Sequence, residues 1–451
     1  MLLFQNRAKK KSTQKIWFSH ILKTGGTTLV EILKNAFPVS KISTTHLGSR
    51  LILNQYSFQE IKRFSLVSGH YSYSFLEKFA PDDVASLIFL REPVARLYSS
   101  YSHQKRAHPN SFPEGSKFLD FVDGQIKNLE DGCFFEETNI YTQNLAYDWG
   151  NPPTDFGELR KQSDRRSIQK LRLYKANPEL RDIAKRRIDN YSCIGITERY
   201  QESLQLLCYT LNLCPRLIES YTNLNTNPKH TSIENVLTSD ELNYISELNK
   251  NDIEVYNHAS QVFESRFSKM VLDLQNHYGK DGETSIQELL SRRYNRLYKK
   301  SHFPQRICDY TFDQPLAGKG WQTREGPDTA GQYFRWTGPA TTSTLELPLY
   351  KDRNLHIKIH IINAVDVEVI ENIKLFVHDH EIPYLPITFP ANKLFRLLYA
   401  EIPKDALADT RNPFVTLTLQ LPWTASLRSI NPDIPDDRPV GVAVQRVDIW
   451  S

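Results

Sequence analysis

The stretch HILKTGGTTLVEIL, residues 20–33, constrains this chain more than any other. The run KIWFSHI before it is apolar and β-prone, and Leu29, Ile32, Leu33, Ala36 and Phe37 recur after it at helical spacing. The pattern predicts a strand over 15–21, a tight turn over 23–28 and a helix. Adjacent glycines let a backbone approach a ligand closely. The first N–H groups of a helix lack intrahelical partners and carry the positive dipole end. A turn made of Lys23, Thr24, Gly25, Gly26, Thr27 and Thr28 therefore reads as an anion site, most economically for phosphate. It is not the nucleoside-triphosphatase loop, in which the lysine follows the glycines. Gly-Gly turns also join strands to helices with no ligand, so the reading needs a second element.

SLIFLREPVARLYSSYSH, residues 86–103, supplies it. Residues 84–90 read as a buried strand ending at Arg91. Pro93 suits the first turn of a helix, and Val94, Leu97, Tyr98 and Tyr101 continue at helical spacing. Arg91 and Ser99 are then expected to reach one crevice, where a guanidinium fork matches a phosphate dianion. The bland alternative is a capped surface helix with a solvated arginine.

In this order, the two stretches resemble the carbohydrate sulfotransferases of the heparan-sulfate 2-O-sulfotransferase type. There a K-T-G-G-T-[TS] loop holds the 5′-phosphosulfate end of 3′-phosphoadenosine 5′-phosphosulfate (PAPS). An R-[ED]-P-x-x-R-x-x-S-x-Y stretch holds its 3′-phosphate. The match implies Lys23, Thr24, Gly25, Gly26, Thr27 and Thr28 for the first role, and Arg91 and Ser99 for the second. Serines occupy both 99 and 100, and the family's contact serine falls on Ser99. LVSGHYSY (66–73) resembles the strand ending in Gly-His, whose histidine is the catalytic base; here that is His70. NIYTQNLAY (139–147) resembles an N-x-x-T-R-x-L-x-G helix, with Gln143 and Tyr147 departing from it. Residues 186–207, including Thr197-Glu198-Arg199, resemble a strand-and-helix return. NLNTNPKH (223–230) resembles the loop closing over the nucleotide, which implies a donor contact for Lys229. NDIEVYNHA (251–259) resembles the last conserved helix. The resemblance covers roughly 14–275 and implies an α/β fold with a P-loop-like parallel sheet flanked by helices.

The chain has 451 residues, enough for two domains. Residues 230–300 read as helices, and the polar KKSHFPQ (299–305) marks a break. Beyond it Leu345/Leu347/Leu349, Leu355/Ile357/Ile359/Ile361 and Val415/Leu417/Leu419/Leu421 alternate with period two, and Val442, Val444, Val447 and Ile449 are available for a closing strand. That predicts an antiparallel β-sandwich. The expected domains are 1–300, carrying nucleotide and acceptor sites, and 301–451, a sandwich of a kind attached to glycan-modifying enzymes. Phe334 and Trp336 read as core fillers, with sugar stacking as the alternative.

The net charge of +4 is too mild to mark a nucleic-acid partner. Residues 158–190 hold eleven Lys or Arg against five Asp or Glu. They read as a solvated helical face, or alternatively as a landing surface for an anionic glycan. Five scattered cysteines show no metal spacing and read as reduced thiols. No run reaches transmembrane length, and MLLFQNRAKKKS lacks signal-peptide order. Animal Golgi members carry an anchor, so the expectation is a cytoplasmic, bacterial-like enzyme. Its oligomeric state stays open.

Sulfuryl transfer requires stabilisation of a leaving phosphate, removal of the acceptor's proton and in-line geometry. Lys23 and the amides of 25–28 suit the first requirement. His70 suits the second, with Glu77, Glu198 and His103 as substitutes. His70 could instead be a structural hydrogen-bonder, and His20 reads as a packed side chain. The expected activity moves sulfate from PAPS to a hydroxyl of a glycan or another acceptor. PAP is the product and no metal is needed. Two alternatives remain: a nucleotide kinase, which needs Mg²⁺ and a metal-binding Asp, and a glycan-binding protein with a relict nucleotide site.

Overall fold

The structure is a computed structural model; it describes residues 15–43, 56–81, 83–112, 115–130, 138–146, 178–219, 237–279, 284–301, 304–408 and 413–451. Four parallel strands form the first sheet: β1 (Lys15–Ser19), β2 (Leu66–Gly69), β3 (Val84–Leu90) and β4 (Cys193–Ile196), in the order β2-β1-β3-β4. Their short apolar runs are buried along almost their whole length, as expected of a parallel sheet covered on both faces. Trp17, Phe18, Phe89 and Ile194 are fully enclosed.

The register puts the functional candidates at one edge. Ser19 pairs with both Gly69 and Ile88, and Leu90 pairs with Ile196. His20, His70, Arg91 and Thr197 therefore leave the sheet together at its carboxyl end, where open α/β sheets bind ligands. Helix α1 (Gly26–Lys34) follows β1, and α2 (Pro93–Ala107) follows β3. The α1 helix stops before the expected Ala36 and Phe37. Phe37 precedes Pro38, which disfavours helical backbone at the residue before it, yet Phe37 is buried against the core.

Two helices clasp each other beside this edge. They are α3 (Ile140–Ala146) and the long α4 (Lys250–Tyr278). Asp252 accepts from Tyr141 N, Thr142 N and Thr142 Oγ1, each at 2.8 Å. Asn139 Oδ1 accepts from Asp252 N at 3.2 Å, and Asn249 Oδ1 accepts from Asn139 N at 3.2 Å. Gln143, which departs from the family pattern, donates to the Thr138 carbonyl.

The C-terminal region is antiparallel. One sheet has the order β10-β9-β13-β7, from His380–Glu381, Lys374–Val377, Val415–Gln420 and Thr342–Leu347. The other runs β11-β12-β8-β16-β5, from Leu385–Phe389, Asn392–Ile402, Leu355–Ala364, Val442–Trp450 and Cys308–Thr311, with β6 (Arg335–Trp336) also paired to β16. The alternating residues expected to face inward do so: Ile357, Ile359, Ile361, Leu417, Leu419, Val442, Val447 and Ile449 share one apolar core. Trp336 is buried in that core and Phe334 packs on it, as core fillers do.

The helix Ile286–Ser301 connects the two regions. Leu289 and Leu290 enter the first core, while Tyr294 and Tyr298 lie against Phe414. Arg216 pairs with the buried Glu346 of β7 across the junction. Among the described residues no helix is long and apolar enough to cross a membrane. Cys193, Cys208, Cys214 and Cys308 are free thiols.

Candidate active site

The turn before α1 is held from several directions. Lys23 and Gly25 have left-handed backbones, φ 67° and 78°. Thr24 between them is fully buried, and its hydroxyl donates to the Ile21 carbonyl at 2.9 Å. The Thr197 hydroxyl lies 3.0 Å from the Thr24 carbonyl and 2.9 Å from that of Leu90, tying the turn to the end of β3. Tyr200 donates to the Gly25 carbonyl at 3.0 Å. A Cβ at Gly26 would lie 2.0 Å from the His20 ring. Any larger residue there would force the His20 ring to move, because that ring packs against the Gly26 backbone.

The two helices that start at this edge differ in how their first amides are satisfied. The α2 helix caps itself: the Glu92 carboxylate accepts from Val94 N at 3.1 Å and Ala95 N at 2.6 Å. The α1 start has no side-chain cap and no acidic residue in its first turn. A helix start of this kind, with its first amides uncapped by side chains and its positive dipole end outward, can serve as a cradle for an anion. Thr27 is exposed and Thr28 half-buried at its rim.

His70 stands at the end of β2, beside that cradle. Its Nδ1–H donates to the His20 carbonyl at 2.6 Å, because a carbonyl can only accept. The neutral ring therefore carries its lone pair on Nε2. The rings of His20 and His70 are 4.7 Å apart, and His20 also stacks on Phe18. Burial pushes the His70 pKa below the usual histidine value, with the bond to His20 opposing it. One residue, His20, thus packs on the cradle through its ring and fixes the His70 tautomer through its carbonyl.

Arg91 follows β3. Tyr141, fully enclosed, donates to the Arg91 carbonyl at 2.6 Å and accepts from the Arg91 N–H at 3.0 Å. Among the described residues the Arg91 guanidinium makes no hydrogen bond. Ser99 lies half-buried on α2, two turns in, and Ser100 is buried. His103, one turn further, is exposed, and its pKa is lowered, first by the positive charge of Lys23.

The two substitute carboxylates are otherwise engaged. Glu198 accepts from Glu92 N and from the Tyr256 hydroxyl, each at 2.9 Å, which braces the start of α2. Glu77 lies on the surface, 3.4 Å from Arg187. Arg181 and Lys185 both pair with Glu254, so part of the basic run is turned to protein carboxylates. Lys229, the loop 223–230, Tyr147, residues 158–177, Cys133 and the first fourteen residues lie outside the described residues.

Tyr141, Tyr200 and Thr197 were not read from sequence as parts of the site. Only the motifs that contain or adjoin them signalled their place. Among the described residues no group of three or more His, Cys, Asp or Glu is arranged to hold a metal ion.

The model of the sulfotransferase family matches residues 7–259, more than half of the 451. The chain belongs to the sulfotransferase family. A comparison with curated proteins gives no match. The matched span takes in the Lys23 turn, His70, Arg91 and Ser99, and ends within α4, before the antiparallel sheets begin. Sulfuryl transfer is the chemistry that this membership supports. A sulfotransferase needs a site for an anionic donor and a means of deprotonating an acceptor. The uncapped α1 start and the tethered His70 suit these needs side by side.

Proposed function

We propose that this sulfotransferase moves a sulfuryl group from PAPS to a hydroxyl of a glycan, with PAP as product and no metal. The observation that carries the reading is the double use of His20: its ring seats the Gly26 turn and its carbonyl sets the His70 tautomer. A phosphate cradle and a neutral imidazole are thereby built on one residue. When bound, PAPS would supply the sulfuryl group and a phosphate leaving group.

The protein's own groups divide the work. Lys23 and the amides of 25–28 stabilise charge that grows on the departing 5′-phosphate oxygen, as preorganised donors do. Thr27 and Thr28 add hydroxyls at the rim. Arg91 and Ser99 hold the 3′-phosphate, and the family resemblance assigns Lys229 a donor contact. His70 Nε2 takes the proton of the acceptor hydroxyl as its oxygen bonds sulfur. The resemblance of the two motifs to carbohydrate sulfotransferases supports a glycan as the acceptor. The cytoplasm is the compartment we assign to the enzyme.

Binding of PAP and of adenosine 5′-phosphate to Arg91→Ala, measured by calorimetry, tests the reading. Loss of a charge-assisted contact should cost about 1.5–3 kcal/mol for PAP and little for the nucleotide without a 3′-phosphate. Equal losses would remove Arg91 from the 3′-phosphate. The same titration with EDTA should be unchanged, and rescue by Mg²⁺ would favour the kinase reading. Incubation with labelled donor and a glycan extract then identifies the acceptor.

A further inference from the structure

Helix α1 begins in the anion cradle and ends against the antiparallel sheets. It has nine residues, about 13 Å of helix at 1.5 Å per residue. A helix this short is marginal by itself and depends on tertiary contacts for its position. Its far end is gripped at several points. Asn35, the C-cap, is buried, and its carbonyl accepts from Leu316 N at 2.9 Å. Asn35 Oδ1 accepts from Arg335 Nη2 at 2.5 Å, and Arg335 Nη1 donates to the Gln322 carbonyl at 2.7 Å. Val39 N donates to the Asp313 carbonyl at 2.9 Å, and Arg324 Nη2 lies 3.5 Å from the Phe37 carbonyl.

Arg335 is 1 % exposed and sits on β6, paired to β16 in the larger antiparallel sheet. A guanidinium is costly to bury unless it is well hydrogen-bonded. This one is placed at the negative end of α1, where a cation also favours the helix dipole. The positive end of the same dipole faces the cradle. Displacing the far end of so short a helix moves Gly25–Thr28 amides that the cradle needs in place.

We infer that Arg335 is a positioning residue for sulfuryl transfer: through Asn35 it lets the C-terminal sheets hold α1, and with it the cradle, in its donor-binding position. The inference rests on the proposed donor site and adds a role for the sheets in the chemistry itself, beyond any service to the acceptor.

The test uses the full chain with Arg335→Met, Arg335→Lys and Glu346→Gln, the last altering only the side-chain contact of the junction with Arg216. Two quantities are read well below each variant's melting temperature. One is backbone hydrogen exchange over residues 23–29 without ligand; the other is the Kd for PAP. Arg335→Met should speed the exchange and weaken PAP binding by about tenfold, within the usual range of site-to-site coupling. Arg335→Lys, which restores the charge, should recover part of both, and Glu346→Gln should leave both native. A folded Arg335→Met protein with native exchange and native PAP affinity overturns the inference. If Arg335→Met does not fold, Arg324→Ala should show a smaller change in the same direction, and native values there overturn it equally. A wild-type protein that binds no PAP overturns the donor reading, while the exchange comparison still decides the clamp.

Discussion

His20 was legible in the sequence as a packed side chain, and it is one, but its packing governs the proposed chemistry. Its ring occupies the space a side chain at Gly26 would need, and its carbonyl accepts from His70. Two expectations follow at this scale. His70→Ala should lower kcat by roughly 10²–10⁴, the usual contribution of a general base, with PAP affinity nearly unchanged. The wild-type pH–rate profile should rise through an acidic limb centred below the ordinary histidine value, because burial lowers the His70 pKa. The variant should lack that limb, and near-native turnover in it would remove His70 from the mechanism. Gly26→Ala tests the second link. Its Cβ would fall 2.0 Å from the His20 ring, so the ring must move, at about 1–3 kcal/mol for overpacking. Thermal melting should show the loss, and kcat should fall as the His70 tether shifts. A variant with native melting temperature and native kcat would mean that the ring yields without consequence. The turn and His70 could be read because strand, glycines and helix are contiguous. The bond between them joins residues fifty apart, and no local pattern carries it.

At the scale of elements, the same contrast separates the helices. The Pro93 start was legible from proline alone, and Glu92 completes it as a cap. The clasp between α3 and α4 was not legible: NIYTQNLAY and NDIEVYNHA each resemble a helix of the family, but neither string shows that Asp252 collects three donors from Tyr141 and Thr142. Since Tyr141 in turn brackets the Arg91 backbone, this clasp reaches the candidate site through one side chain. Asp252→Ala leaves those buried donors without their acceptor. Each buried donor left without an acceptor typically costs about 1–3 kcal/mol, and a large drop in melting temperature should report the loss. Asp252→Asn, which keeps one acceptor oxygen, should lose less. A native melting temperature for Asp252→Ala would show that the helices are held by apolar packing alone.

For the whole molecule, the period-two alternation after residue 340 predicted inward-facing strands, and they pack as expected because alternation is a local property of strands. The junction between the parallel sheet and the antiparallel sheets had no such signature. It consists of Asn35 against Arg335, the Tyr294 and Tyr298 rings against Phe414, and Arg216 against Glu346, each joining distant segments. Glu346 makes the junction sensitive to pH. Burial raises its pKa from 4.5 to about 7, against the pull of the Arg216 charge. The folded chain therefore keeps a proton that the unfolded chain has released between these values. Stability from this group is complete below about pH 4.5, where both states are protonated, and is lost as pH rises through about 7. A tenfold change in proton affinity is worth about 1.4 kcal/mol, so a rise from 4.5 to about 7 is worth on the order of 3–4 kcal/mol. Melting temperatures of the wild type should thus decline from pH 5 to 8 more steeply than those of Glu346→Gln, whose amide does not titrate. Parallel slopes would mean that Arg216 keeps Glu346 ionised throughout, and that the junction is held by an ion pair insensitive to pH.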